Sequence, residues 1–268
     1  MKLLSADLSP FQIAWFRFLG LFLILLPVVT MKIGSSALKP ARPGMQVIRG
    51  ITMSVATVAF ITGARTIDFA DAIAILYAYP FLLTLIAVAF LGEKVRWVGW
   101  TVVIGGFLWV LLIMRPDFEN FNTGSLFVFL CAMVISIQMA INRKLGSLSH
   151  PLVTTLWGAI VATVLLSVAV PFFWNPVSVD HLWLLILMAA TGAVNQTCLV
   201  YGFGRAEAST LAPFTYFEIV AAVIFGLLFF DTLPGWISWF GIALIVASGV
   251  LVAHSLGGTK ATRRGAKF

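Results

Sequence analysis

Nine runs of apolar residues, each long enough to cross a lipid bilayer as a helix, dominate this sequence. They cover residues 11–30, 47–65, 69–91, 96–114, 123–142, 151–173, 181–203, 208–230 and 235–254. A transmembrane helix needs about 20 mostly apolar residues, whereas the strands of a membrane barrel are shorter and alternate in polarity. The sequence therefore predicts an all-α integral membrane protein with nine transmembrane helices.

Composition agrees with a membrane-embedded fold and argues against several other classes. Apolar residues make up 61% of the chain and charged residues 10%, against about 25% charged residues in a typical soluble domain. The two cysteines, Cys131 and Cys198, lie inside apolar runs, and the sequence has no phosphate-binding loop, HExxH motif or GxSxG motif. We therefore expect no disulfide framework, no metal, no other cofactor and no ATP-driven step within this chain.

The distribution of Lys and Arg predicts the orientation in the membrane. If successive spans alternate in direction, thirteen of these residues fall on one side, three (Lys2, Arg65 and Arg115) fall on the other, and Arg17 lies within a span. Cytoplasmic loops are the ones enriched in Lys and Arg. The C-terminus, with its basic tail 257–268, is therefore expected in the cytoplasm. The net charge of +7 is a topology signal on this interpretation, and no nucleic-acid partner is expected.

An internal repeat organises the spans. A shift of 139 residues lays the spans 11–30, 47–65, 69–91 and 96–114 on 150–169, 186–204, 208–230 and 235–253. The span 123–142 has no counterpart in the first half, so the predicted plan is an inverted repeat of four plus five helices, a truncated form of five plus five. Copies with an odd number of crossings insert upside down, and secondary transporters use such inverted repeats around a site at the membrane midplane.

Motifs placed on this repeat resemble those of the EamA-type transporters of the drug/metabolite transporter superfamily. They are Ala70-Asp71-Ala72, Tyr79-Pro80 and Leu91-Gly92-Glu93-Lys94 in the first half, and Ala212-Pro213-Phe214-Thr215-Tyr216-Phe217-Glu218 and Asp231-Thr232-Leu233-Pro234 in the second. Arg17 falls where the family often has an arginine in its second helix. The resemblance implies a first EamA repeat at 1–118 that lacks its first helix, a second at 119–256, and transport of small metabolites through a central cavity.

Polar side chains inside apolar spans are the candidates for contact with a substrate or a proton. An intramembrane charge costs about 2.5–3.5 kcal/mol on insertion scales, so each one needs a reason. Glu218 is near the middle of its span, and the repeat places Tyr79 opposite Glu218 and Tyr77 opposite Tyr216. The full set of candidates is Arg17, Asp71, Tyr77, Tyr79, Asn195, Gln196, Tyr216 and Glu218.

Structural roles for the same residues remain open. Arg17 could form an ion pair with Glu218 or Asp71, and Asp71 is an ordinary residue for the first turn of a helix. Asn195 and Gln196 could form hydrogen bonds between helices. Pro80 removes a backbone hydrogen bond in mid-span and is therefore expected to kink the helix and to be a hinge candidate.

The combined interpretation is a secondary active or facilitated transporter, and not an enzyme, in a bacterial inner membrane. Its substrate is expected to be a small metabolite such as an amino acid, a nucleoside-like cofactor, a vitamin or a drug, with protons as a candidate co-substrate. A homodimer is one option for its assembly. Two alternatives stay open: a truncated membrane protein that does not transport, and a membrane-embedded enzyme, which is less favoured because the spans have no acid/base constellation.

Overall fold

A computed structural model shows the chain as a bundle of antiparallel helices. The structure describes residues 4–34, 39–40, 42–67, 69–92, 100, 104, 108, 122–146 and 148–205. The expected spans 208–230 and 235–254, the basic tail 257–268 and all but three residues of the expected span 96–114 lie outside the described residues. Within the described part the secondary structure is helical and contains no strand.

Seven α-helices are described. They are α1 (Pro10–Ile33), α2 (Pro43–Ala64), α3 (Phe69–Leu76), α4 (Tyr79–Leu91), α5 (Thr123–Leu145), α6 (Pro151–Ala169) and α7 (Val179–Arg205), and Leu4–Ala6 and Val170–Phe173 form short 3-10 helices. Five segments are long and apolar enough to span a membrane: α1, α2, α5, α7, and α6 together with the 3-10 turn that follows it. The predicted all-helical class is confirmed for the described residues, and the count of nine helices stays a prediction.

Local sequence signals explain where several helices begin. The side chains of Ser9, Asn122 and His150 precede α1, α5 and α6, and each accepts a hydrogen bond from a backbone N–H of the first turn, at 3.2, 2.8 and 3.3 Å. Proline follows at the start of α1, α2 and α6, where its missing N–H has no partner to lose. At the end of α4, Gly92 takes a left-handed conformation with φ of 68°, which favours glycine.

The alternating helices give the bundle two chemically different ends. The acidic end carries Asp7, Asp71 and Asp180, and there His181 Nε2 lies 3.1 Å from Asp7 Oδ2. The basic end carries charged residues from the last or flanking turns of α1, α2, α5 and α7: Lys32, Arg42, Arg143, Lys144 and Arg205. These basic residues share one side, as the charge distribution predicts.

The outer surface of the bundle is apolar. Leu126, Val164 and Ile186 are 51%, 63% and 70% exposed, whereas Phe18, Leu21 and Leu156 are buried between α1 and α6. Large exposed apolar surfaces mark contact with a membrane or a partner. Since these residues lie on helices of spanning length, the surface suits lipid.

Close helix crossings hold the centre of the bundle together. Helix α1 packs on α6 and α7, and α2 packs on α5 and α6. A Cβ atom added at Gly20 would lie 2.3 Å from Ala189 Cβ, and one added at Gly50 would lie 2.4 Å from Val161 Cβ. Membrane helices use such small residues because they let the backbones approach, which strengthens van der Waals packing.

The α2–α6 crossing predicts that Gly50→Ala destabilises the protein. The new methyl group would force Val161 and α6 to shift, and overpacking of this kind costs about 1–3 kcal/mol. Gly44→Ala is the matched control, since a Cβ there meets nothing within 4 Å. We expect a lower melting temperature in detergent for Gly50→Ala and no loss for Gly44→Ala; equal melting temperatures would contradict the crossing.

Candidate functional site

The expected span 69–91 is divided into two helices. Helix α3 ends at Leu76, Tyr77 and Ala78 form a turn, and α4 begins at Tyr79. Pro80 has no backbone N–H and so cannot donate to the carbonyl of Leu76. The interruption is therefore sharper than the kink that the sequence predicts, although it lies at the predicted place.

Two hydroxyl side chains contact backbone carbonyls in the first turn of α4, just after this break. Ser136 Oγ of α5 lies 2.9 Å from the carbonyl oxygen of Tyr79 and 2.8 Å from that of Ala132 in its own helix, and Thr84 Oγ1 donates to the carbonyl oxygen of Pro80 at 2.8 Å. Unsatisfied backbone groups are costly inside a bilayer, and broken transmembrane helices persist where neighbouring side chains supply partners. The break is thus tied to α5 as well as to its own helix.

The two tyrosines at the break are buried against α5. Tyr77 and Tyr79 are 5% and 6% exposed, their ring centroids lie 5.9 Å apart, and they share an apolar cluster with Val128 and Ala132. The structure therefore brings these two predicted site residues together. Their predicted counterparts in the repeat, Tyr216 and Glu218, lie outside the described residues.

A second group of predicted residues lies where α1 meets α7. Arg17 is partly buried, and a Cβ added at Gly192 of α7 would lie 3.6 Å from its Nε. Gln196 follows one turn later on α7, where it is buried and its Nε2 has no hydrogen-bond partner among the described residues. Asn195, next along the helix, is exposed.

Asp71 lies near the start of the broken span 69–91. It is partly buried in the first turn of α3 at the acidic end, where the positive end of the helix dipole favours a carboxylate. This placement agrees with the ordinary structural role that the sequence left open. Its predicted part in the site stays untested.

A polar cluster at the basic end is absent from the set predicted by sequence. Arg49 of α2 is fully buried; its Nε donates to Asn142 Oδ1 of α5 at 2.6 Å, and its Nη1 donates to the carbonyl oxygen of Thr154 of α6 at 3.0 Å. Gln46, one turn earlier on α2, donates through Nε2 to Thr154 Oγ1 at 3.4 Å. We call Gln46, Arg49, Asn142 and Thr154 the Arg49 cluster.

By sequence, Arg49 counts among the loop residues of the basic side, and the structure shows that this assignment is wrong. The charge distribution counted it with the basic side, but it lies inside α2 and is fully buried. The available signal was its position within the apolar run 47–65, with Gln46 three residues earlier on the same helix face. The residues that bind it, Asn142 and Thr154, come from distant segments and carry no signal of their own.

Metal binding finds no support in the described part of the chain. Among those residues, no group of three or more His, Cys, Asp or Glu side chains could hold a metal ion. The polar groups at hand are hydroxyls, amides and two arginines within spans. Their chemistry suits recognition by hydrogen bonds and charge.

The sequence profile of the EamA-like transporter family matches residues 1–115 and 122–253. The chain is 27% identical over 254 residues to the S-adenosylmethionine uptake transporter of Rickettsia bellii, an alignment that covers 95% of this chain and 87% of that protein. It is 26% identical over 237 residues to the riboflavin transporter of Rhizobium johnstonii, with 87% and 78% covered.

The pseudopaline exporter of Pseudomonas aeruginosa is 26% identical over 275 residues, which cover 99% of this chain and 91% of that protein. One crystal structure, 19% identical in sequence, superposes with a TM-score of 0.72 over 93% of this chain and 89% of that chain. At this level of identity the superposition shows a shared fold.

The helix break predicts that Ser136→Ala weakens the fold. The substitution removes the hydroxyl that lies against the Tyr79 carbonyl, and a lost hydrogen bond of this kind costs about 1 kcal/mol. Ser54→Ala is the matched control, because Ser54 is equally buried and its hydroxyl donates within its own helix, to the carbonyl of Gly50. The melting temperature should fall more for Ser136→Ala; the reverse order would refute the support we assign to α5.

Proposed function

Since this chain belongs to the EamA-like transporter family, we propose that it carries a small polar metabolite across a bacterial inner membrane by alternating access. Among its relatives, one is named for uptake of S-adenosylmethionine, one for transport of riboflavin and one for export of pseudopaline. Both directions therefore occur among similar proteins. The proposed substrate class is an amino acid, a nucleoside-like cofactor, a vitamin or a drug.

The observation that supports alternating access is a pair of equivalent helix contacts between the two halves. Helix α2 of the first half packs on α6 of the second, and α7 of the second half packs on α1 of the first. The shift of 139 residues turns one contact into the other: it relates Gly20 to Ala159 and Gly50 to Ala189. The close approach of Gly20 to Ala189 thus corresponds to one between Ala159 and Gly50, and Gly50 is observed against Val161, two residues away.

This correspondence supports an inverted repeat with halves at 1–118 and 119–256. The two segments that the family profile matches, 1–115 and 122–253, agree with the division. In secondary transporters built this way, one repeat rocks against the other and opens the central site to each side in turn. The interface between the halves would have α1, α2, α3 and α4 on one side and α5, α6 and α7 on the other.

The broken span 69–91 supports a substrate site near half depth. Discontinuous helices often form transporter sites, since their exposed backbone groups and the side chains beside them can contact a ligand. Tyr77 and Tyr79 lie at the break, and the repeat would place Tyr216 and Glu218 opposite them. Pro80 would then be the hinge, and Glu218 the residue that exchanges a proton. Arg17, Asp71, Asn195 and Gln196 complete the proposed set.

The proposed orientation places the basic end of the bundle in the cytoplasm, together with the C-terminus. The positive-inside rule supports this, since five of the six described basic residues at helix ends lie at that end and only Arg65 lies at the other. A membrane-embedded enzyme is the weaker alternative, because the family and the named relatives are transporters. A folded protein that does not transport is the other alternative, and flux measurements decide it.

The orientation predicts opposite labelling of two single-cysteine variants. In a background with Cys131→Ala and Cys198→Ala, a membrane-impermeant maleimide should label Asp180→Cys in intact spheroplasts and Lys144→Cys after permeabilisation only. Both positions are exposed, at the acidic and basic ends respectively. Labelling of both from the same side would refute the antiparallel arrangement, and the reverse pattern would refute the orientation.

Transport itself is tested with the purified full-length protein in liposomes. We expect accumulation of at least one of labelled S-adenosylmethionine, riboflavin or amino acids, above protein-free liposomes. Glu218→Gln should remove any part of the flux driven by a pH gradient, because an amide cannot carry the proton; Asp180→Asn, at the exposed acidic end, is the control and should retain it. Unchanged coupling in Glu218→Gln would remove Glu218 from the mechanism, and a folded protein without flux would favour the non-transporting alternative.

A further inference from the structure

We propose that the Arg49 cluster is a binding site for a carboxylate group, placed at the basic end of the bundle between its two halves. The proposal deepens the transport function and rests on it in one respect: the carboxylate is taken to belong to the transported molecule. Binding of a carboxylate can nevertheless be measured without transport.

The charge of Arg49 meets only neutral acceptors among the described residues. Its Nε and Nη1 donate to an amide oxygen of Asn142 and a backbone carbonyl of Thr154, while Nη2 is buried without any hydrogen-bond partner. A guanidinium remains protonated in proteins, and burial of a charge without a paired charge is very costly. The unpaired nitrogen thus marks a position where an anion would be strongly favoured.

The described carboxylates cannot supply that anion. Asp7 and Asp180 lie at the acidic end, where Asp7 contacts His181, and Asp71 lies in the first turn of α3 at the same end. Arg49 lies in the second turn of α2 at the opposite end of the bundle. Among the described residues, the acceptors that contact its guanidinium are an amide oxygen and a backbone carbonyl.

The surroundings of Arg49 favour an anion in two further ways. Helices α2 and α6 both begin at the basic end, so the positive ends of two helix dipoles lie near Gln46 and Thr154. Helix α6 also leaves space for the guanidinium at Gly158, where an added Cβ would lie 1.9 Å from Arg49 Nη1.

A carboxylate matches this site better than a phosphate does. One guanidinium balances one negative charge, and its planar donors suit the two oxygens of a carboxylate. A phosphate dianion would keep one uncompensated charge in a buried place, since the described cluster holds a single cation. The chemistry of the site therefore assigns a singly charged, planar anion.

The position of the cluster links it to the transport cycle. Arg49 belongs to the first half, whereas Asn142 and Thr154 belong to the second, so its hydrogen bonds cross the proposed moving interface. When the halves separate at the basic end, the guanidinium loses these neutral acceptors. A carboxylate entering from that end would then replace them with stronger, charge-assisted bonds.

The test measures the melting temperature of the purified full-length protein in detergent while sodium acetate is titrated. At constant ionic strength, acetate should raise the melting temperature with saturation, whereas acetamide, chloride and phosphate should not. Ligands stabilise the state that they bind in proportion to occupancy, so the midpoint of this rise reports affinity. Arg205→Gln, which removes an exposed arginine at the same end, is the control and should respond like the wild type.

Asn142→Asp is the decisive variant, because it keeps Arg49 and its hydrogen bond but places a carboxylate beside the guanidinium. We expect a folded protein whose apparent affinity for acetate is weaker by about tenfold to a hundredfold, the range that corresponds to one lost charge-assisted contact. Arg49→Gln should lose the acetate response as well. If Arg49→Gln fails to fold, Asn142→Asp still decides the question.

Several outcomes would overturn the proposal. They are a wild-type protein that does not respond to acetate, an equal response to chloride or phosphate, and an unchanged response in Asn142→Asp. The transport assay separates this failure from failure of the proposed function. Flux without an acetate response would refute the Arg49 site alone, and an acetate response without flux would refute transport alone.

Discussion

The constraint on which this structure depends is that polar groups inside a membrane must find their partners within the protein, because lipid offers none. Regular helices satisfy this constraint for the backbone, which is why the described spans are helical except at the turn of Tyr77 and Ala78. At the break before α4, Pro80 has no N–H to donate to the carbonyl of Leu76. The hydroxyls of Ser136 and Thr84 contact the carbonyls of Tyr79 and Pro80, just after the break. At Arg49 the protein satisfies the constraint only in part, and we therefore assign that residue a ligand.

The same constraint separates structural contacts from functional ones. The close crossings at Gly20 and Gly50 involve backbone and small side chains, so they hold the halves together through packing, without polar groups. The contacts of Arg49 are polar and cross between the halves. A transporter needs both kinds: packing that favours each closed state, and polar contacts that a substrate can replace when one end opens.

Part of the geometry around the proposed site was predictable from the sequence. Proline in mid-span predicts a kink at residue 80, and the structure has a complete break just before it, since the missing N–H acts locally. The meeting of Tyr77 with Tyr79 follows from their spacing beside that break. By contrast, the partners of Arg49 were not predictable, because Asn142 and Thr154 lie 93 and 105 positions away along the chain.

The sequence by itself determined the class of environment, the helical secondary structure and the family, because apolar run length, charge placement and motif order are properties of the chain alone. Only the tertiary structure decided which polar side chains became buried and which acceptors they met. The physical reason is that burial and hydrogen bonding depend on which faces of separate helices pack together. Arg49 shows the difference: its position in an apolar run was visible, but its unpaired nitrogen emerged only when three helices packed around it.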